Sequence, residues 1–132
     1  MRTIAGDRGD LRILAAALEA ERAQVALYEA GAQLSDAPIV NQILAQERAH
    51  LAAVEEAIRE LGGRPSPARP LARFSLNHGF GAWRRAAIER ENQWAAGYGA
   101  LIPKLANARL RATFGALMTT EAEHAVALDF AG

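Results

Sequence analysis

Apolar residues recur at steps of three and four along most of this chain, and in four places the stripe they form is broken by a charged residue. The first stripe reads Leu14, Leu18, Glu21, Val25, Tyr28 and Ala32. It predicts a helix over about 8–33, capped by Asp7 or Asp10 and weakened at its end by Gly31. Ser35-Asp36-Ala37-Pro38 then reads as a turn with proline at the start of the next helix. The second stripe, Val40, Ile43, Glu47, His50, Val54, Ile58 and Leu61, predicts a helix over about 38–61 that Gly62-Gly63 stops.

Residues 62–80 carry three prolines in quick succession, at 65, 67 and 70, which exclude a helix there. This segment is long enough to run the length of a bundle, and Leu71, Phe74 and Leu76 are its apolar anchors, suited to one short helical turn. The third stripe reads Arg84, Ala87, Glu91, Trp94, Ala95, Tyr98 and Leu101, for a helix over about 81–102 that Pro103 ends or kinks. Gly97 and Gly99 lower its propensity and mark a close helix approach or a distortion. The fourth stripe, Leu110, Phe114, Leu117, Met118, Glu121, His124, Ala125 and Leu128, predicts a helix over about 105–129 that starts near Lys104 or after Asn107. Two short connections and one long one imply an all-α four-helix bundle: two antiparallel hairpins joined by a long crossover.

The polar interruptions repeat. Glu21 is followed seven residues later by Tyr28, then by Glu47 and His50; Glu91 is followed seven residues later by Tyr98, then by Glu121 and His124. The first pair of residues recurs at an offset of 70 and the second at an offset of 74. With 11 Glu among 132 residues, coincidence at all four sites is of order one in ten thousand. Four unpaired buried carboxylates would be very costly and would protonate. Two divalent ions balance four carboxylates, two imidazoles complete a mixed O/N donor set, and i,i+3 spacing puts each Glu47/His50 and Glu121/His124 pair on one helix face.

Composition narrows the chemistry. A length of 132 residues suits one domain over 1–132, and 51% hydrophobic content supports a core. Having no cysteine, the chain has no disulfide scaffold, thiolate zinc site or iron–sulfur cluster. A formal net charge of zero argues against electrostatic nucleic-acid binding. No apolar run approaches the roughly 18 residues of a membrane span, and the N-terminus lacks the apolar core of a signal peptide, so a cytoplasmic protein is expected. Trp83 and Trp94 read as packing groups rather than electron relays, His78 as a loop residue, and Arg84, Arg85 and Arg90 as a solvated face.

At the Glu-x6-Tyr and Glu-x-x-His pairs, in that order and twice over about residues 10–130, the chain resembles the ferritin-like di-iron carboxylate superfamily. It is most similar to small stand-alone ferritin-like domains and to the cores of rubrerythrin and demethoxyubiquinone hydroxylase. The resemblance implies two iron ions, with manganese or mixed Mn/Fe as alternatives. Glu47 and Glu121 would bridge them, Glu21 and Glu91 would be terminal or chelating ligands, and His50 and His124 would each hold one metal. Tyr28 and Tyr98 would hydrogen-bond a ligand of the opposite half. Beyond the metal ligands no catalytic residue is expected. The implied reactants are O2 or peroxide and an unidentified electron donor; a homodimer is an option, and neither nucleic acid nor membrane is an expected partner.

The expected activity is of the ferroxidase or oxidase type. Hydroxylation of an unknown organic substrate, iron binding or storage without turnover, and a metal-free helical interaction module are the alternatives. Ile88 and Trp94 stand where rubrerythrins would place an additional helix-three carboxylate, which with the missing cysteines argues against full rubrerythrin chemistry. The chain ends soon after the fourth helix, which argues against a mineral-storing cage with its fifth helix.

Overall fold

The computed structural model describes residues 4–69 and 78–131. Four helices carry the chain: α1 over Ile4–Leu34, α2 over Pro38–Glu60, α3 over Gly79–Leu101 and α4 over Ala108–Phe130, with a 3-10 turn at Ile102–Lys104. The α1–α2 turn closes in three residues, where the Ser35 hydroxyl accepts from the Ala37 N–H (3.0 Å) and Pro38 opens α2. At the far end of α2, Gly62 takes a φ of 83°, and the Gly62 and Gly63 N–H groups bond back to Arg59 and Ile58 carbonyls. That left-handed exit is why glycine stands there.

Two apolar clusters pack the ends of the bundle. One joins Leu14 and Leu18 to Val54 and Ile58, Tyr98, Leu110 and Phe114. The other joins Leu27 and Tyr28 to Val40 and Ile43, Trp83, Ala87 and Leu128. Early α1 thus meets late α2, late α3 and early α4, while late α1 meets their opposite ends. It follows that α1 is antiparallel to α2 and α3, and parallel to α4. Helix α2 therefore finishes at one end of the bundle and α3 starts at the other. The all-α four-helix bundle expected from the stripes is the fold observed. Each fully buried Leu, Ile or Phe in these clusters contributes about 1.5–3 kcal/mol, which offsets the charged layer between them.

Some local expectations need correction. Helix α1 already runs at Ile4, so Asp7 and Asp10 lie inside it and neither caps it. Asp10 is buried and accepts instead from the Ala106 and Asn107 N–H groups (2.8 and 3.0 Å), ahead of α4. Of the two starts open to helix α4, the one after Asn107 is observed: it begins at Ala108 rather than near 104–105, because Pro103 turns the chain through the 3-10 segment. The Asn107 side chain then caps α4, accepting from Arg109 and Leu110 N–H groups. Helix α3 begins at Gly79, two residues before its expected start.

Arg84 is half-buried and donates to the Leu128 and Asp129 carbonyls at the end of α4, which corrects its placement on a solvated face. Gly99 faces Met118, whose sulfur would lie 3.1 Å from an added Cβ, whereas Gly97 faces open space. The helical turn expected around Leu71, Phe74 and Leu76 lies outside the described residues. Residues 63–69 are irregular, and Arg22 of α1 ties them down by donating to the Ser66 hydroxyl and carbonyl and to the Pro67 carbonyl. No helix among the described residues is long and apolar enough to cross a membrane.

Candidate metal centre

Between the two apolar clusters each helix turns one glutamate inward: Glu21 from α1, Glu47 from α2, Glu91 from α3 and Glu121 from α4. All four are at most 1% exposed. One turn after Glu47 and Glu121 on the same helix faces stand His50, half-buried, and His124, buried. Their imidazole rings lie 6.1 Å apart and nearly parallel, and both turn Nδ1 toward the carboxylates. The helical repeat therefore brings together all six residues singled out in the sequence.

They fall into two overlapping sets. Glu21, Glu47, His50 and Glu121 offer donor atoms within 4.8 Å of one another, and so do Glu47, Glu91, Glu121 and His124. Glu47 and Glu121 belong to both. Each set is three carboxylate oxygens and one imidazole nitrogen, a donor mixture suited to iron or manganese.

The hydrogen bonds around the centre follow the repeat. Tyr28 of α1 donates to Glu91 of α3 (2.6 Å), and Tyr98 of α3 donates to Glu21 of α1. Each tyrosine thus fixes the lone glutamate of the opposite hairpin. Tyr28 lies edge-on to Trp83, and Tyr98 edge-on to Phe114, which holds each phenol in place. Burial, and then the neighbouring carboxylate, push both phenols far above their ordinary pKa, so they remain protonated donors.

Inside this frame many polar atoms lack a hydrogen bond. Glu21 Oε2, both Glu47 oxygens, Glu91 Oε2 and His124 Nδ1 are buried without a partner. His124 Nδ1 sits 2.9 Å from Glu47 Oε1 and 3.4 Å from Glu91 Oε1, close but not aligned as a hydrogen bond. Orphaned buried polar atoms are rare, and here they converge from four helices on one point. That is what a cation-binding set requires, so the residues present fit a dinuclear metal centre.

The electrostatics agree. Burial first, then Glu47 and Glu121 alongside, push the Glu21 carboxyl up to about 9, against the pull of its bond from Tyr98. Burial likewise raises Glu121 to about 7, although His50 opposes the rise. Burial alone would lower the two imidazoles. Contact with Glu121 and Glu47 instead raises His50 to about 10, and contact with Glu47 and Glu91 raises His124 to about 9. In the metal-free chain at neutral pH, protons on Glu21 and both imidazoles supply the positive charge the carboxylates demand.

Two amides escaped sequence reasoning. Gln24 is 1% exposed and donates from Nε2 to Glu121 Oε2 (3.0 Å). Gln46, on the outer face of α2, accepts from His124 Nε2. The available signals were position alone: Gln24 is one turn after Glu21, and Gln46 directly precedes Glu47.

The comparisons with known proteins concern the whole bundle. The chain is similar in fold to a conserved hypothetical protein from Mycobacterium tuberculosis, with a TM-score of 0.81, 20% identity, and 99% of this chain and 100% of that one covered. A search of curated proteins returned no match. The family model for the ferritin-like domain matches residues 9–131. Matched over nearly its full length, with the four-helix architecture and a Glu/His cluster at its centre, the chain belongs to the ferritin-like domain family.

Proposed function

We propose that this chain is a di-iron protein whose centre reacts with dioxygen or peroxide, with ferroxidase or oxidase activity as its minimal form. The observation that carries the reading is the pair of donor sets sharing Glu47 and Glu121. Shared carboxylates are what two metals held side by side need. In this reading Glu47 and Glu121 serve both metals, Glu21 and His50 hold one, and Glu91 and His124 hold the other. Two divalent ions balance the four carboxylates and leave both imidazoles neutral. Manganese, alone or mixed with iron, suits the same donors.

When bound, iron supplies the redox chemistry that no side chain of this centre has. The protein positions and charges the site. Tyr28 and Tyr98 lock Glu91 and Glu21 in place, and the two apolar clusters flank the centre on either side. Loading at neutral pH expels the protons held on Glu21, His50 and His124, so affinity rises with pH. An electron donor would be needed for repeated turnover, and the cytoplasm is the compartment we assign.

The hydroxylase alternative needs an organic substrate beside the metals. An apolar groove of about 700 Å³ lies on the outer face of α3 and α4, lined by Ala95, Met118, Ala122 and Val126 among others. None of the six Glu and His residues lines it, so it does not favour that alternative. Anaerobic Fe(II) titration with elemental analysis tests the main reading, which expects about two metals per chain and oxygen consumption once air is admitted. A chain that takes up no metal, with its helicity and melting unchanged, overturns it. A monomer or dimer in size-exclusion chromatography removes the storage cage, and steady oxygen uptake only with an added organic compound would favour hydroxylation.

A further inference from the structure

The six Glu and His residues obey the internal repeat, but the amides that touch them break it. At the offset of 74, Gln46 corresponds to Thr120; at the offset of 70, Gln24 corresponds to Trp94. Gln46 Oε1 accepts from His124 Nε2, which fixes that ring with Nδ1 toward Glu47 and Glu91. Thr120 makes no corresponding bond. Its hydroxyl donates to the Ala116 carbonyl of its own helix (3.0 Å), and among the described residues no hydrogen bond joins it to His50.

The donor atoms differ in the same sense. Each side has one carboxylate oxygen of its own free of hydrogen bonds, Glu91 Oε2 beside His124 and Glu21 Oε2 beside His50, and the two sides share the Glu47 oxygens; the imidazoles differ, since His124 Nδ1 makes no aligned hydrogen bond. On the His50 side, His50 Nδ1 is engaged with Glu121 Oε1 at 3.0 Å, and Gln24 holds the other oxygen of that same carboxylate. A cation arriving beside His124 meets a ring already aimed by Gln46, whose Nδ1 touches Glu47 at 2.9 Å without an aligned hydrogen bond to break. One arriving beside His50 must first break the His50–Glu121 bond, at a ring that no amide steadies.

From this asymmetry we infer that the two metal positions are inequivalent: the position beside His124 fills first and binds more tightly, and Gln46 is the positioning residue that makes it so. The inference rests on the dinuclear reading. Outer hydrogen-bond partners of metal-bound histidines typically change affinity by about ten- to a hundredfold. Because Gln46 is exposed, its replacement leaves the core intact. The difference between the two positions is therefore assigned to a residue that touches no metal.

The test is anaerobic titration of the full chain with Co(II), followed by calorimetry and by the visible bands of the bound cobalt. Two separate steps are expected. In Gln46→Ala the tight step weakens by about tenfold or more while the second step and the melting of the metal-free chain stay as they were. In Gln46→Glu, which keeps an acceptor for the ring N–H, the tight step is retained. Thr120→Gln, which places an amide at the related position, strengthens the second step. His50→Ala is expected to remove the second step and leave the first. Equal weakening of both steps in Gln46→Ala, or a single undivided step which that variant leaves unchanged, overturns the inference while the dinuclear reading stands. Failure to take up any cobalt overturns both.

Discussion

The two hairpins carry nearly the same ligands in nearly the same places, yet they are held in different ways. In α1 and α2 the buried surface is crowded with polar atoms: Asp10, Glu21, Gln24 and Glu47 are all at most 1% exposed. In α3 and α4 the buried polar groups are Glu91, Glu121 and His124, and Trp94 stands half-exposed where the first hairpin buries Gln24. The first hairpin also lends polar atoms to the second, from Asp10 to the start of α4, from Gln24 to Glu121 and from Gln46 to His124. The second returns Tyr98 to Glu21 and Trp83 to the Leu27 carbonyl. The duplicated pattern is thus kept in the six Glu and His residues that converge at the centre of the bundle. The surrounding atoms are free to diverge, and they set how the two halves differ.

The sharpest way to break the comparison is to remove a shared ligand and an unshared one. Glu47→Ala is expected to abolish uptake of both metals, whereas Glu21→Ala is expected to leave the one beside His124. Metal content after anaerobic loading and desalting measures this. Retention of one normally bound metal by the Glu47 variant would refute its bridging role. In the metal-free chain the same carboxylate lies 2.9 Å from His124 Nδ1, so Glu47→Leu is expected to lower the metal-free melting temperature as well as destroy the centre, because it leaves that buried imidazolium without its partner.

Next in size is the response to pH. Glu21, raised to about 9, holds its proton more tightly folded than unfolded, and so do Glu121, His50 and His124. A raised folded pKa contributes stability that is fully present below the unfolded value and is lost as pH rises toward the folded one. The metal-free chain should therefore lose stability from about pH 4.5, where an ordinary glutamate titrates, up to about pH 9–10, as urea midpoints across that range would show. The loaded chain should move the opposite way over the lower part of that range, because its ligands must be deprotonated. A metal-free midpoint that climbs from pH 5 to pH 9 would show that the cluster does not carry these protons.

Two glycines give a smaller, structural contrast. A Cβ on Gly31 of α1 would lie 2.2 Å from the Trp83 ring, while one on Gly97 of α3 would meet nothing within 4 Å. Gly31→Ala should cost about 1–3 kcal/mol, and Gly97→Ala should gain about 0.5–1 kcal/mol, in chemical denaturation. The smallest expected effect is at the α4 cap. Asn107→Ala should cost about 1 kcal/mol, since Asp10 still serves the two preceding N–H groups.

How much of this was legible depended on whether a residue acts along its own helix or across to another. The four stripes located the helices, and Leu14, Leu18, Val54, Ile58, Phe114 and Leu128 are all buried as their spacing implied. The six Glu and His residues stood out because carboxylates on apolar stripes demand an explanation. Leu27 is off the stripe of α1 yet fully buried, because that helix packs on both α2 and α3 and needs a wider apolar face. Asp10 looked like a cap for its own helix but serves backbone more than 90 residues away. Gln24 and Gln46 were missed for a similar reason: an amide carries no charge to be accounted for, so its value appears only when its partner is known.

The close fit of Trp83 over Gly31 has a further consequence. It works as a key in a notch. The indole of the second hairpin fills a space that any side chain on α1 would close, and its N–H is bonded to the Leu27 carbonyl (2.8 Å). Sliding one hairpin along the other by a helical turn, about 5.4 Å, would eject the ring and separate Glu21 and Glu47 from Glu91 and Glu121. The notch therefore sets the axial register of the two halves without using any of the six Glu and His residues. A centre whose donors come from four separate helices depends on such an alignment, and the notch supplies it from outside the centre, alongside the Tyr28–Glu91 and Tyr98–Glu21 bonds that cross between the same halves.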